Sequence, residues 1–515
     1  MIDAMEQAKH FNSGHRSDKS RTIRFSREDL HLFAEASHDR NPLHLSPSFA
    51  RKTFLGEPVV FGILGVFACL GKIPYRCNSS LSRITVEFKN PIFAEVDYSI
   101  DAVMQSVNTA SLRLSDGSKV LLKVYLTFSD RPSLPVRWNG DRRPFPRGPV
   151  NLERRALYDG ACVMGKYQPD PAAFAALLER FGLVEQQFGS LPLAALLCSS
   201  YIVGMEQPGL QSLFCKLALE FHSHSLDDSE MQYESRVLCV NALNMLASEL
   251  HLSASGVPIA TGELHSLLMP ESPTTSVAKL EELLSASVSL KGRVALVIGA
   301  SRGLGAALTT ALVLKGCTVL ANFDRSEQEA RRLLESLKNT AGRIVLTKGD
   351  AGDVSYCTQL QCTVDKEFGR LDFLFCNACP PLRPYQIEPS TIERINSYLK
   401  DALALVSVPM AVFLKNMEAS SGRLVIISSL TVDTPAREWP HYVAMKAAVE
   451  ALARVAALQF PKITVLLVRP PRLRTDLTNS PSGQLDATLP EIVAAQITQG
   501  LLDVPSEQVS LLAMH

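Results

Sequence analysis

Much that would point to a function at a glance is missing from this chain. It has no excess of charge: Lys and Arg total 52, as do Asp and Glu, so the formal net charge is zero. A neutral chain has no bulk attraction for nucleic acid or for an anionic membrane surface, and neither is expected as a partner. No run of apolar residues reaches membrane-spanning length. The polar start, MIDAMEQAKHFNSGHRSDKS, lacks the apolar core of a secretion signal. The last residues, LLAMH, are not a peroxisomal address. No residues have paired zinc-site spacing, so no metal is expected. The 11 cysteines are odd in number and sit mostly in apolar stretches such as VFACLG and LLCSSY. That is the usage of buried thiols in a reducing compartment, and a cytoplasmic location is expected.

What remains is an ordinary globular composition, 46% hydrophobic and 20% charged, over 515 residues. That length exceeds one core and predicts two to four domains. The stretch that organises the chain is 290–446. Residues 293–298 read as a short, fully buried parallel strand. Gly299-Ala300-Ser301-Arg302-Gly303-Leu304-Gly305 follows, then an apolar helix to Leu314, a stop at Gly316 and a second strand over 317–322. Glycines at the first turn of such a unit let the backbone approach a pyrophosphate, and the helix N-terminus offers it free N–H groups. A tight turn alone also needs glycine. Further on, a strand over 425–430 ends in serines, and Tyr442 and Lys446 stand one helical turn apart, on one face. An ammonium beside the phenol is expected to lower its pKa, so that the tyrosine exchanges a proton with a substrate oxygen near neutral pH. Ser429 is placed to hydrogen-bond the same oxygen.

The glycine turn, serine, tyrosine and lysine, in this order, resemble the short-chain dehydrogenase/reductase family, with 3-oxoacyl-thioester reductases as the nearest branch. The resemblance covers 290–515 and implies an α/β Rossmann domain, a doubly wound parallel sheet. It implies Ser429, Tyr442 and Lys446 as the catalytic set. Gly299, Ser301, Arg302, Gly303, Leu304, Gly305, Asp350, Asn377 and Thr475 are the implied cofactor contacts, together with Tyr442 and Lys446. Arg302 and Arg325 suit a 2′-phosphate, and Phe323 stands where NAD enzymes usually carry an acid, so the implied cofactor is NADP(H). The chain departs from the family pattern at Cys379, Pro471 and Asp401, which replace a glycine, a glycine and the asparagine of the catalytic tetrad. Cys376 and Cys379 form a C-x-x-C, readable as a redox motif or, better, as the cofactor-side strand end.

Near the N-terminus, Ser26 and Asp29 have the spacing of a helix start. The helix leads to the polar loop Ser37-His38-Asp39-Arg40-Asn41-Pro42-Leu43-His44. An Asp and a His five apart on a loop can converge on one water, or can be a cap and a surface histidine. The loop and the following VVFGILG resemble the MaoC-like (R)-specific enoyl-thioester hydratases, which have the hot-dog fold. The resemblance implies Asp39 and His44 as the catalytic pair, Asn41 as a positioning residue and the Gly62 N–H as the group that polarises the thioester carbonyl. His38 and Phe61 replace a glycine and a histidine of the pattern.

Strands are predicted over 82–89, 95–103, 110–114 and 119–128. A Pro- and Arg-rich linker, 131–150, follows. The next stretch repeats the first at a constant offset: Gly71, Phe88 and Asn108 match Gly204, Phe221 and Asn241. At that offset Asp39 and His44 fall on Ala172 and Leu177, so the second copy is expected to be catalytically silent. The expected organisation is a tail (1–22), a catalytic hot-dog (23–130), a linker, a degenerate hot-dog (151–270), a partly helical linker (271–289) and the Rossmann domain. The fold class is an α+β double hot-dog followed by an α/β Rossmann domain.

The two resemblances together imply consecutive steps on one acyl thioester, carried by CoA or an acyl carrier protein. Reduction of a 3-oxoacyl group is followed by dehydration to the 2-enoyl. The reverse direction, hydration and then oxidation, and a non-catalytic scaffold that only binds acyl carriers are the alternatives. Both families imply self-association into a homodimer or larger.

Overall fold

The computed structural model describes residues 22–74, 80–130, 136, 138, 145, 148–222, 230–502 and 507–513. The expected tail lies outside the described residues except for Thr22, as does most of the 131–150 linker. The chain divides into two units, Met1–Leu45 with Val59–Leu268, and Ser46–Pro58 with Met269–His515.

The first unit opens with β1 (Thr22–Arg24) and α1 (Arg27–Ser37). Ser26 and Asp29 close the reciprocal capping box that their spacing predicts. Next come α2 (Pro42–Leu45), the buried apolar α3 (Gly62–Leu70) and four strands, β2 (Ser80–Phe88), β3 (Asp97–Met104), β4 (Thr109–Asp116) and β5 (Lys119–Ser129). The same order then returns: β6 (Cys162–Tyr167), α4 (Pro171–Phe181), α5 (Glu185–Phe188), α6 (Ser190–Tyr201), β7 (Ser212–Phe221), β8 (Met231–Val240), β9 (Met245–Ala254) and β10 (Val257–Leu268). All ten strands form one antiparallel sheet, β1-β3-β4-β5-β2-β7-β10-β9-β8-β6, whose two arms repeat one another about the β2–β7 pair. A single core holds α3 and α6 against both arms. Across the repeat, Arg180 of α4 grips the buried Asp29 of α1 with two hydrogen bonds, 2.7 and 3.0 Å.

The repeat corrects the correspondence read from the sequence. Helices α1 and α4 begin 144 residues apart, at Arg27 and Pro171, whereas Gly71 and Gly204 are 133 apart. The eleven-residue difference falls between α2 and α3, where the first half carries Ser46–Pro58. Asp39 and His44 therefore correspond to Leu183 and Phe188, not to Ala172 and Leu177, which lie inside α4. The second copy still lacks the pair. The left-handed residues after the paired helices agree with this alignment: His38 has φ 58° and Gly182 has φ 64°. The glycine usual at the His38 position is thus a helix C-cap, which His38 fills in a strained backbone region while stacking on Phe145 at 3.8 Å. Gly71 does end α3, but Gly204 does not end its helix. A wide π turn, Ile202–Glu206, carries the chain past it.

The second unit is a seven-stranded parallel sheet: β11 (Val294–Ile298), β12 (Thr318–Phe323), β13 (Arg343–Lys348), β14 (Phe373–Cys376), β15 (Arg423–Ile427), β16 (Thr464–Arg469) and β17 (Val509–Ala513), in the order β13-β12-β11-β14-β15-β16-β17. Its helices are α7 (Val277–Leu283), α8 (Gly303–Leu314), α9 (Glu327–Ser336), α10 (Val354–Glu367), α11 (Ile392–Met417), α12 (Pro440–Gln459) and α13 (Pro490–Gly500). Alternate residues of β11 enter opposite cores, Ala295 and Val297 with α8 and α13, Leu296 and Ile298 with α10, α11 and α12. This is the doubly wound arrangement expected, and the strand order reverses between β11 and β14, where such sheets open a crevice. Ser46–Pro58 joins this unit: Lys52 pairs with Glu329 at 2.7 Å, and Arg383 with Glu57 through Nε at 2.9 Å. One helical stretch, Ile392–Ser420, is long and apolar enough to cross a bilayer by length and composition. Asn396, Lys400 and Asp401 interrupt it, so it is not an unbroken apolar run. Its apolar side, including Ile395, Met410 and Phe413, is buried in the core beneath the sheet.

Candidate active sites

In the second unit, β11 ends at the glycine turn. Gly299 has φ +76°, which favours glycine, and its carbonyl accepts a hydrogen bond from Asn377 Nδ2 at 3.0 Å. A Cβ at Gly305 would lie 2.0 Å from that carbonyl and 2.7 Å from Asn377 Nδ2, so the turn closes only around glycine. Thr475 closes the other side, its methyl 3.1 Å from where a Gly303 side chain would begin. Leu304 is buried, Ser301 half-buried, and Arg302 is the N-cap of α8, with no side-chain cap on the helix. The uncapped helix start and the space kept free of side chains fit a dinucleotide pyrophosphate.

The two arginines expected at the 2′-phosphate already have partners. Arg302 donates to Asp476 at 2.7 Å and to the Arg51 carbonyl at 2.6 Å, and Arg325 pairs with Asp324 at 2.9 Å in an exposed bridge. Arg51 also donates to the Arg325 carbonyl at 3.2 Å, so a third arginine, from far earlier in the sequence, joins the pair. Asp350 is exposed and accepts from the Gly352 N–H at 2.8 Å.

Ser429 follows β15 and caps a short 3-10 turn, accepting from the Thr431 N–H at 3.2 Å. Tyr442 and Lys446 lie on α12, and the Lys446 ammonium is 5.5 Å from the centre of the Tyr442 ring. The expected lowering of the tyrosine pKa is not what this arrangement produces. Burial raises the Tyr442 phenol well above its ordinary value, Cys379 beside it adds to this, and the hydrogen bond with Ser429 opposes it. Lys446 donates to the Ile427 carbonyl at 2.7 Å and is itself lowered by burial. Tyr442 is therefore a phenol that holds its proton. Asp401 lies on an exposed side of α11, and no ion pair joins it to Lys446 among the described residues. Cys376 and Cys379 are free thiols, and Cys379 meets Tyr398 Oη at 3.1 Å.

Behind this site runs a network the sequence did not reveal. Arg469 makes two 2.7 Å hydrogen bonds to the buried Glu450 of α12, which also accepts from Ser428 at 2.5 Å. It ties α12 to the ends of β15 and β16, beside Ser429.

In the first unit, Asp39 and Asn41 come from the loop between α1 and α2, and His44 from α2 itself. Asp39 is buried. One carboxylate oxygen accepts from the Asn41 N–H at 3.1 Å and the other from Ser200 Oγ at 2.7 Å. Burial outweighs both bonds and raises Asp39 to about 7. Asn41 Nδ2 donates to the carbonyls of Gly204, at 3.0 Å, and Gly209, at 3.1 Å. His44 stacks on Phe61 at 3.9 Å, and its Nδ1 lies 2.8 Å from the Val59 carbonyl. A carbonyl can only accept, so Nδ1 carries the proton and Nε2 is left as an acceptor. Burial holds the imidazole down at about 4, against the Val59 hydrogen bond, so it is neutral at pH 7. Gly62 opens α3, which has no side-chain cap. Its N–H is among the first four of the helix, which have no partner within it. Phe88 packs where a side chain at 62 would begin, 2.5 Å away. Among the described residues no group of side chains could hold a metal ion.

Residues 10–119 match the family described as MaoC like domain, and residues 293–485 the family described as short chain dehydrogenase. The chain thus carries a MaoC-like domain followed by a short-chain dehydrogenase. Among similar proteins, a hydroxynaphthalene reductase-like protein, Arp2, of Metarhizium guizhouense is 28% identical over 233 residues, 42% of this chain and 86% of that protein. The tetrahydroxynaphthalene reductase of Pyricularia oryzae is 29% identical over 196 residues, 37% of this chain and 68% of that protein. An alcohol dehydrogenase from the archaeon Thermococcus sibiricus, solved with 5-hydroxy-NADP, is 22% identical with a TM-score of 0.39, covering 43% of this chain and 95% of its own.

Proposed function

We propose that this chain, a MaoC-like domain joined to a short-chain dehydrogenase, reduces a 3-oxoacyl thioester with NADPH and dehydrates the (3R)-hydroxyacyl product to the 2-enoyl thioester, in fatty-acid or polyketide-like synthesis. The observation that carries this reading is that one chain holds two proton-transfer sets in complementary states. Tyr442 keeps its proton, Asp39 is poised to hold one, and His44 is neutral with its proton on Nδ1 and Nε2 as the acceptor.

In the reductase site Gly299, Gly303, Gly305, Asn377 and Thr475 would hold a nicotinamide dinucleotide, which would supply a hydride for C3. Tyr442 gives its proton to the ketone oxygen, and Ser429 fixes that oxygen by a hydrogen bond. The raised phenol suits the reductive direction, since the proton stays on Tyr442 until negative charge develops on the substrate. Lys446 spends one of its three donors on Ile427, and its others would serve cofactor hydroxyls. In the dehydratase site His44 Nε2 removes the α-proton, the Gly62 N–H holds the enolate oxygen, and Asp39 protonates the departing hydroxyl. The thioester carrier is CoA or an acyl carrier protein.

The test is to supply NADPH and a short 3-oxoacyl thioester and to identify the products by mass. NADPH loss with an enoyl product is expected. Tyr442→Phe should abolish reduction and spare hydration of an enoyl thioester, and Asp39→Asn should do the opposite. Loss of both activities from either change in folded protein would make the two-site assignment wrong.

A second reading concerns the reductase substrate. The similar proteins are named for hydroxynaphthalenes, which favours a flat cyclic ketone. Turnover of tetrahydroxynaphthalene without turnover of the thioester would select it.

A further inference from the structure

The half of the first unit that lacks the Asp–His pair is not inert toward it. Ser200 and Gly204 lie one turn apart where α6 passes into the π turn. Ser200 donates to one Asp39 oxygen at 2.7 Å, and both groups are buried. At Gly204 a Cβ would stand 2.4 Å from the other oxygen, so the carboxylate occupies the space a side chain would take. The Gly204 carbonyl accepts from Asn41, two residues along the same loop. The next residue, Met205, meets the Arg40 N–H with its sulfur at 3.1 Å. One helix turn of the second half thus holds three consecutive residues of the acid loop.

We propose that Ser200 is a positioning residue for Asp39, and that Ser200 with Gly204 makes the second half an integral part of the dehydratase site. This rests on the assignment of Asp39 as the acid of dehydration. A carboxyl that must deliver a proton to one substrate oxygen needs a fixed orientation and a partner that favours the carboxylate left behind. Ser200 provides both, because a hydroxyl donor stabilises the charged form. The other titratable neighbours are engaged elsewhere. Tyr167 on β6, on which the Asp39 charge acts, donates to the Ser37 carbonyl. Tyr201 donates to Glu206 at 2.7 Å, His44 is held by Val59, and His38 is stacked on Phe145. Among the described residues no salt bridge reaches Asp39, so Ser200 is the side chain best placed to set its acidity.

The experiment measures dehydration of a 3-hydroxyacyl thioester against pH in the full chain, with NADPH-dependent reduction as the control. Ser200→Ala should lower the dehydration kcat about tenfold or more and move the alkaline limb of its pH profile up by about one unit, the shift that loss of one charge-assisted hydrogen bond produces. Ser200→Thr, which keeps the hydroxyl, should keep the limb where it is, and reduction should be unchanged in both. Ser200→Cys keeps the volume and loses a strong donor, and serves if the alanine variant does not fold. Gly204→Ala should lower dehydration at least as far. An unmoved alkaline limb in Ser200→Ala or Ser200→Cys overturns the proposal. Dehydration that survives Asp39→Asn overturns instead the assignment on which it rests.

Discussion

Asp39 and His44 are moved by burial in opposite senses, to about 7 and about 4. Burial disfavours whichever form is charged, so it leaves one group able to give a proton and the other able to take one. A mechanism needing protonated Asp39 and neutral His44 should run best between these values. The dehydration rate should fall as pH rises through about 7, where Asp39 loses its proton, and fall again below about 4, where His44 gains one; kcat/KM against pH in folded protein checks both limbs. Asp39, Asn41 and His44 are legible in the chain because they stand within six consecutive residues. Ser200 is not: its only signal is a pair of serines in an apolar helix, and nothing in the sequence says which residue 161 positions away they meet. The state of Tyr442 is not legible for a related reason. Tyrosine and lysine one turn apart share a face, but spacing does not reveal that the ammonium is turned to the Ile427 carbonyl and the phenol buried.

Among the elements, the turn from β11 into α8 is where sequence and structure agree most closely, since glycine has little use there besides backbone freedom and close approach. Gly305→Ala should displace the turn from the Gly299 carbonyl and Asn377, and should weaken NADPH binding by tenfold or more in a fluorescence titration while leaving enoyl hydration intact. Helix α12 is held by side chains as well as by packing. Arg469 and Glu450 are both largely buried, and removing one partner of such a pair strands a charge. Glu450→Ala should therefore lower stability by about 3–5 kcal/mol, read as a lower unfolding midpoint with loss of reduction. The repeat within the first unit was visible as a constant offset across α3 and the strands. That offset does not hold at α1 and α4, because the eleven-residue difference lies upstream of the glycines that carry it.

For the whole molecule, the segment Ser46–Pro58 departs most from what the sequence implies. It lies within the stretch that reads as one hot-dog, yet it belongs to the second unit. Its partners there include Arg302, Glu329, Arg383 and Asn479. Glu57→Ala should leave the mostly buried Arg383 without its carboxylate and cost about 1–3 kcal/mol in that unit. The measurement is thermal inactivation of each activity in the same sample, with reduction lost at a lower temperature and hydration unmoved.

The chain passes from one unit to the other three times, after Leu45, after Pro58 and after Leu268. No single scission separates two whole units. A cut after Leu268 yields an N-terminal piece that still carries thirteen residues of its neighbour, and a C-terminal piece from which they are missing. For the same reason, a single crossover after Leu268 between this chain and a homologue leaves the second unit with Ser46–Pro58 from one parent and the rest from the other. Two units that read as beads on a string are stitched by the chain that runs back and forth between them.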